Sequence, residues 1–208
     1  MTRKEELRKE IEKIWEILTY VKDCYSYSKY IRNPDTLKEK EYIAKSNDFK
    51  FMTHAFWRLT IIELAKLFST NNETHKYNLN KFIDKLKPDG HYRNLKIDPS
   101  LVSRWSQKLI ENSSSIQIVL QLRNEVYAHT DNYPNLDYAN DITYEDVEDL
   151  IDVISDIVKT IYSVLFNSDA LIRPISYREN SFNMIKILAE EKETRIKNKI
   201  DKLLGNVK

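Results

Sequence analysis

Glycine and proline are nearly missing from this chain, with two and five among 208 residues. Sheets and tight hairpins need glycine-rich punctuation, so the scarcity argues for long helices joined by short polar loops. It also removes whole classes of site. A P-loop, a dinucleotide-binding fingerprint and a nucleophile elbow each require glycines at set positions, and none of these patterns occurs. Cysteine is scarcer still. Cys24 stands alone, which excludes an internal disulfide and any cysteine-based zinc cluster and suits a reducing compartment. An excess of one charge is missing too: 33 basic and 32 acidic residues leave a net charge of +1. Any contact with a polyanion must therefore come from a local patch or from a site repeated by symmetry. No segment has the length and unbroken apolarity of a membrane span, and the basic start at residues 1–6 has no apolar stretch behind it. The expectation is a soluble, cytoplasmic protein without a membrane partner.

What the chain does have is helical periodicity. Leu7, Ile11, Ile14, Trp15, Leu18 and Val21 recur at helical spacing with charged residues opposite. They predict an amphipathic helix to about Ile31, broken by Asn33-Pro34-Asp35. A short charged helix or loop follows over 36–44. From 47 to 68, Phe49, Met52, Phe56, Leu59, Ile61, Ile62, Ala65 and Leu67 nearly fill one side of the most apolar helix, which Ser69-Thr70-Asn71-Asn72 ends. A short helix over 79–86 takes Asn78 as its cap, and Lys87-Pro88-Asp89-Gly90 is a turn. Asp98-Pro99 starts the next helix. Its apolar pattern runs through Leu101, Val102, Trp105 and Leu109 to Ile116, Val119 and Leu120, with a break at 112–115. Thr143 and Asp146 form a capping box ahead of Val147, Leu150, Ile151, Ile154, Ile157, Val158, Ile161 and Leu165. Residues 171–177 read as a linker, and 182–204 as a charged amphipathic arm. The fold class is all-α: a helical bundle over 1–168, then 169–208 as linker and C-terminal helix packed on the same domain or across a dimer.

The chemistry concentrates in Leu122-Arg123-Asn124-Glu125-Val126-Tyr127-Ala128-His129-Thr130-Asp131. A guanidinium stays charged and grips phosphate oxygens in a fork, and an imidazole moves protons near neutrality. Together they suit cleavage of RNA. On an ideal helix six residues advance about 600°, leaving Arg123 and His129 roughly 120° apart. Either the helix frays near Tyr127, or the side chains converge with help from a second subunit, since a two-fold dimer would supply two of each in one cleft. The plainer reading stands beside this one: Arg and His near a helix C-terminus also cap carbonyls and oppose the dipole.

The run resembles the R-x(4-6)-H motif of HEPN domains, in the form Arg-Asn-x-x-x-Ala-His. With Phe56-Trp57-Arg58-Leu59 and Ile61-Ile62-Glu63-Leu64-Ala65-Lys66-Leu67-Phe68 upstream, the chain is similar to the AbiU2-type branch over roughly residues 10–165. The resemblance implies an up-and-down bundle and a homodimer with facing motifs. It also implies endoribonuclease activity without metal or cofactor, in toxin-antitoxin or abortive-infection defence. Arg123 and His129 match the family's defining pair and Asn124 its polar position. His129 would transfer the proton at the ribose 2′-hydroxyl or the leaving 5′-oxygen, a contribution typically of about 100- to 10,000-fold. Arg123 would oppose charge growing on the phosphate. The products would carry 2′,3′-cyclic phosphate and 5′-hydroxyl ends. Asn124, Tyr127 and Thr130 join the site as substrate-binding or supporting residues. RNA is the implied substrate, and a toxin would need a cognate antitoxin, such as a nucleotidyltransferase-like protein. The alternative is a non-catalytic dimeric module that binds a partner protein, nucleotide or RNA.

Other residues have structural expectations. His54 reads as a core or edge histidine satisfied locally, and His75 and His91 as loop residues without a companion at metal-ligand spacing, so no metal is expected. Glu63 is a solvent-facing acid or a buried partner for Arg123. Tyr25, Tyr27 and Tyr30 pack or stack on bases. Lys81, Lys85, Lys87, Arg93 and Lys96 form a solvated basic face or a guide for RNA.

Overall fold

The computed structural model describes residues 1–69, 77–127, 142–171 and 183–205, and among these residues the regular structure is entirely helical. Eight α-helices follow in order: α1 (Arg3–Arg32), α2 (Leu37–Ala44), α3 (Asn47–Phe68), α4 (Leu79–Leu86), α5 (Pro99–Glu111), α6 (Ser113–Gln121), α7 (Tyr144–Phe166) and α8 (Asn183–Gly205). A single 3₁₀ turn, Arg93–Leu95, lies between α4 and α5, and a π-helical turn, Leu122–Tyr127, extends α6.

Side-chain caps set the boundaries. Thr2, Thr36 and Thr143 each accept a bond from the backbone three residues on, and Glu5, Glu39 and Asp146 answer with a bond from the cap backbone, completing three capping boxes. Asn78 caps α4 through Lys81 N, and Asp98 caps α5 through Ser100 N, with Pro99 in the first turn. At the far end of α7, Asn167 closes the helix in the left-handed region at φ 49°, a conformation Asn tolerates better than most residues. Gly90 follows the turn after α4, where a Cβ would lie 2.5 Å from the carbonyl oxygens of Asp84 and Lys85. One of the chain's two glycines therefore stands where only glycine fits.

The core forms where the apolar stripes of α1, α3, α5, α6 and α7 meet. Leu7, Ile11, Ile14, Leu18 and Val21 of α1 are fully buried, as are Leu150, Ile154 and Ile157 of α7, and Trp105 fixes α5 to the same cluster. The expected break in the longer helical pattern is real, with Asn112 at the junction of α5 and α6. In α3 the expected apolar side holds for only part of its length. Ile61, Leu64, Ala65 and Phe68 lie against α1 and its neighbours, but Met52 is 40 % exposed and Phe51 72 %. The N-terminal half of α3 projects past the main core. A small second cluster of Tyr30, Ile31, Phe49 and Ile185 covers part of it, bringing in the start of α8. The expected linker at 171–177 lies outside the described residues beyond Leu171.

Candidate functional site

The motif begins where α6 ends. Val119 and Leu122 are fully buried and fix the end of α6 in the core, so the next residue, Arg123, emerges half-buried and Asn124 is exposed. The backbone over Leu122–Tyr127 adopts wider π-helical pairing, a geometry that recurs at functional sites and turns each residue through a smaller angle than an α-helix. The ideal α-helical advance per residue therefore does not hold over Leu122–Tyr127. His129 and Thr130 lie outside the described residues, as does the loop through residue 141.

Arg123 Nη1 donates to Asn124 Oδ1 at 2.7 Å. This bond orients one arm of the guanidinium. No described carboxylate pairs with Arg123. Glu63 instead pairs with Lys66 at 2.5 Å and is not the partner of Arg123. Tyr127 is 5 % exposed, so it supports the motif from beneath rather than offering a ring face to a base. Burial pushes its hydroxyl pKa up, against the opposing influence of the Arg58 cation and a hydrogen bond from Trp57.

Helix α3 holds this turn in place. Arg58 Nη2 donates to the Tyr127 carbonyl oxygen, and its guanidinium sits 5.8 Å from the Tyr127 ring centroid. A helix end leaves carbonyls unpaired, and a guanidinium is a strong partner for them. His54, one turn before Arg58, meets the Tyr127 ring edge-on at 6.2 Å. Of the two expected positions, core or edge, the structure excludes the core: His54 is exposed. It lines a cleft of about 550 Å³ with Arg32, Lys50, Trp57, Tyr144 and Glu145 among its walls. Sequence reasoning missed this cleft. The available signal was the i, i+3, i+4, i+7 spacing of Lys50, Thr53, His54 and Trp57, which places three polar residues and an aromatic on one stripe of an otherwise apolar helix.

The other candidates are structural. Tyr25 is buried and its hydroxyl donates to the Tyr144 carbonyl oxygen at 3.1 Å and to Glu148 at 3.0 Å. Tyr30 donates to the buried Glu39 carboxylate at 3.0 Å, and Tyr27 stacks on Phe56. His91 bonds Glu6 at 3.0 Å and also contacts Arg3; His75 lies outside the described residues. Lys85 and Lys87 are neutralised by Glu10 and Asp84, so the basic face around α4 is weaker than its sequence suggests. Among the described residues no group of His, Cys, Asp and Glu converges as metal ligands, and no helix is long and apolar enough to cross a membrane.

Fold and site together define an all-α bundle that presents a polar Arg-Asn motif at the C-terminal end of a packed helix. The chain belongs to the AbiU2 family of HEPN domains, whose family model, HEPN_AbiU2, matches residues 4–185. No curated protein and no solved structure matches it.

Proposed function

We propose that this protein is a metal-independent endoribonuclease, acting in the cytoplasm as a homodimer whose two motifs share one cleft. The observation that carries the reading is Arg123. In a HEPN chain, its guanidinium leaves the core on a π-helical turn, is oriented by Asn124 and has no described carboxylate to neutralise it. Such a group is ready for a phosphate. Four residues separate it from Ala128-His129, which completes the family pattern.

The chemistry then follows from the two residue types. His129 as base removes the proton of the ribose 2′-hydroxyl, the 2′-oxygen attacks the adjacent phosphorus, and the bond to the 5′-oxygen breaks with a proton supplied to the leaving oxygen. One fragment ends in 2′,3′-cyclic phosphate and the other begins with 5′-hydroxyl. Arg123 holds the non-bridging oxygens as their charge grows. A dimer supplies a second histidine, so that base and acid need not be the same group. Membership of the AbiU2 family supports a role in abortive-infection or toxin-antitoxin defence, with a cognate antitoxin restraining the activity. The bundle over 1–168 carries the site, and 169–208 forms the arm.

The test is incubation of the purified protein with total cellular RNA in excess EDTA, beside Arg123→Ala and His129→Ala, with end-group analysis. The expected result is cleavage by wild type alone, leaving cyclic phosphate ends, and a loss of at least about 100-fold in each variant. Intact RNA with a folded wild-type dimer would replace this reading with the non-catalytic binding module.

A further inference from the structure

Three helices converge on the cleft beside the motif: Arg32 closes α1, Lys50 and His54 stand one turn apart on α3, and Tyr144 and Glu145 open α7. Its volume of about 550 Å³ falls within the range of roughly 300–1,000 Å³ typical of small-ligand sites. In a chain of net charge +1, two cations and an imidazole gather here against one carboxylate, Glu145, among the described lining residues. Neither Arg32 nor Lys50 has a carboxylate partner among the described residues. The acids Glu145 and Asp146 offset the positive end of α7, so the cleft's positive charge comes from side chains.

The aromatic wall is held before any ligand arrives. Tyr144 packs on Trp57 with ring centroids 4.3 Å apart and 33° between planes, and the Arg32 guanidinium also sits over Tyr144, 5.1 Å from its ring centroid. The Tyr144 hydroxyl bonds Ser28 Oγ at 2.6 Å, and Ser28, fully buried, donates to the Thr53 carbonyl oxygen at 3.0 Å. This network ties α1, α3 and α7 together behind the wall. His54, in the same wall, meets the Tyr127 ring edge-on, which connects the cleft to the motif turn.

We propose that the cleft binds one nucleotide unit of single-stranded RNA, its phosphate on Arg32, Lys50 and His54 and its base against Trp57. The proposal rests on the ribonuclease reading of the adjacent motif and adds the subsite that holds the strand beside the cut. Cations next to an aromatic platform are the pairing that single-stranded nucleic acid requires: the cations track phosphates, and the ring accepts any base. A duplex hides its base faces, so unpaired strands are the class that fits. The shared chemistry, a phosphate with its base, is also that of a free mononucleotide.

The experiment uses full-length His129→Ala protein, which keeps the strand intact, titrated into a short labelled single-stranded RNA in EDTA and followed by anisotropy. Lys50→Glu and Arg32→Gln change exposed residues, and thermal melts confirm that both fold. Each is expected to weaken binding by roughly tenfold or more and to flatten the salt dependence, by about 0.7 in slope for each phosphate no longer neutralised. Lys9→Glu, about 35 Å from Arg32 along α1, is expected to leave binding unchanged. Bound RNA should quench tryptophan emission, and Trp57→Phe should remove that response. Equal binding by parent and Lys50→Glu would overturn the proposal, as would equal weakening by Lys9→Glu or equal displacement of the strand by an acidic peptide. Displacement by AMP at the concentration that displaces RNA would assign the cleft to a free nucleotide and overturn its assignment to a strand. The outcomes separate the two readings. Cleft-dependent binding by a protein whose wild type never cuts RNA removes the ribonuclease and keeps the subsite, whereas cutting with unchanged KM in Lys50→Glu does the reverse.

Discussion

Arg58 shows how one side chain on a neighbouring helix sets the geometry of the motif. Its bond to the Tyr127 carbonyl oxygen ends the π-helical turn at a defined place, and Leu122 and Tyr127 hold the two ends of that turn in the core. Arg58 is half-buried, so its removal leaves a helix-end carbonyl without that partner. For Arg58→Met we expect a stability loss of about 1–3 kcal/mol in denaturant unfolding, the magnitude of a hydrogen bond to a charged group. We also expect cleavage of RNA to fall by at least about tenfold, because the segment that follows Tyr127 would lose its fixed starting point. Full activity in a destabilised Arg58→Met protein would show that packing alone positions the motif.

At the scale of elements, α8 divides into two parts. Its first turns are docked: Ile185 and Ala189 are buried, Glu193 pairs with Lys38 of α2 at 2.7 Å, and Lys192 lies over the Tyr42 ring. Farther on, Ile196, Ile200, Leu203 and Leu204 are 49–67 % exposed and charged residues surround them. The exposed ion pair contributes little by itself, so the apolar contact of Ile185 with Tyr30, Ile31 and Phe49 is the main attachment. Ile185→Asp would place a carboxylate there without a partner. The expected outcome is release of the arm, seen as faster limited proteolysis within 183–205, with the melting temperature of the bundle changed by only a few degrees. Cooperative loss of the whole fold would instead make α8 part of the bundle and overturn the division at residue 168.

For the whole molecule, the buried acids predict an alkaline limit to stability. Burial pushes the Cys24 thiol up to about 11. The hydroxyls of Tyr25, Tyr30 and Tyr92 are also raised, by burial first and then by the carboxylates they bond, Glu148, Glu39 and Glu10. Each group holds its proton more tightly folded than unfolded. Its contribution is therefore complete below the unfolded pKa, about 8.5 for cysteine and 10 for tyrosine, and is lost as pH rises toward the folded value, because the unfolded chain releases its protons first. Thermal melts should be level from pH 7 to about 8.5 and then decline through about pH 11. A melting temperature unchanged across that range would mean that these groups gain access to water without unfolding.

The sequence by itself determined the helices. Apolar spacing on α1, α5 and α7, with caps at Asn78, Asp98 and Thr143, is local information, because a helix makes its hydrogen bonds within one segment and a cap acts over three residues. The same locality made the Arg123-Asn124 motif legible, together with its resemblance to HEPN domains. Only the tertiary structure decided what surrounds that motif. Whether Met52 faces core or water, whether Glu63 meets Arg123 or Lys66, and that Arg32, Lys50 and His54 share a cleft with Tyr144 all depend on how helices distant in sequence pack. Periodicity gives each helix an apolar face but does not say where its partner stops, and it was the projection of α3 past the main core that placed His54 in the open beside the motif.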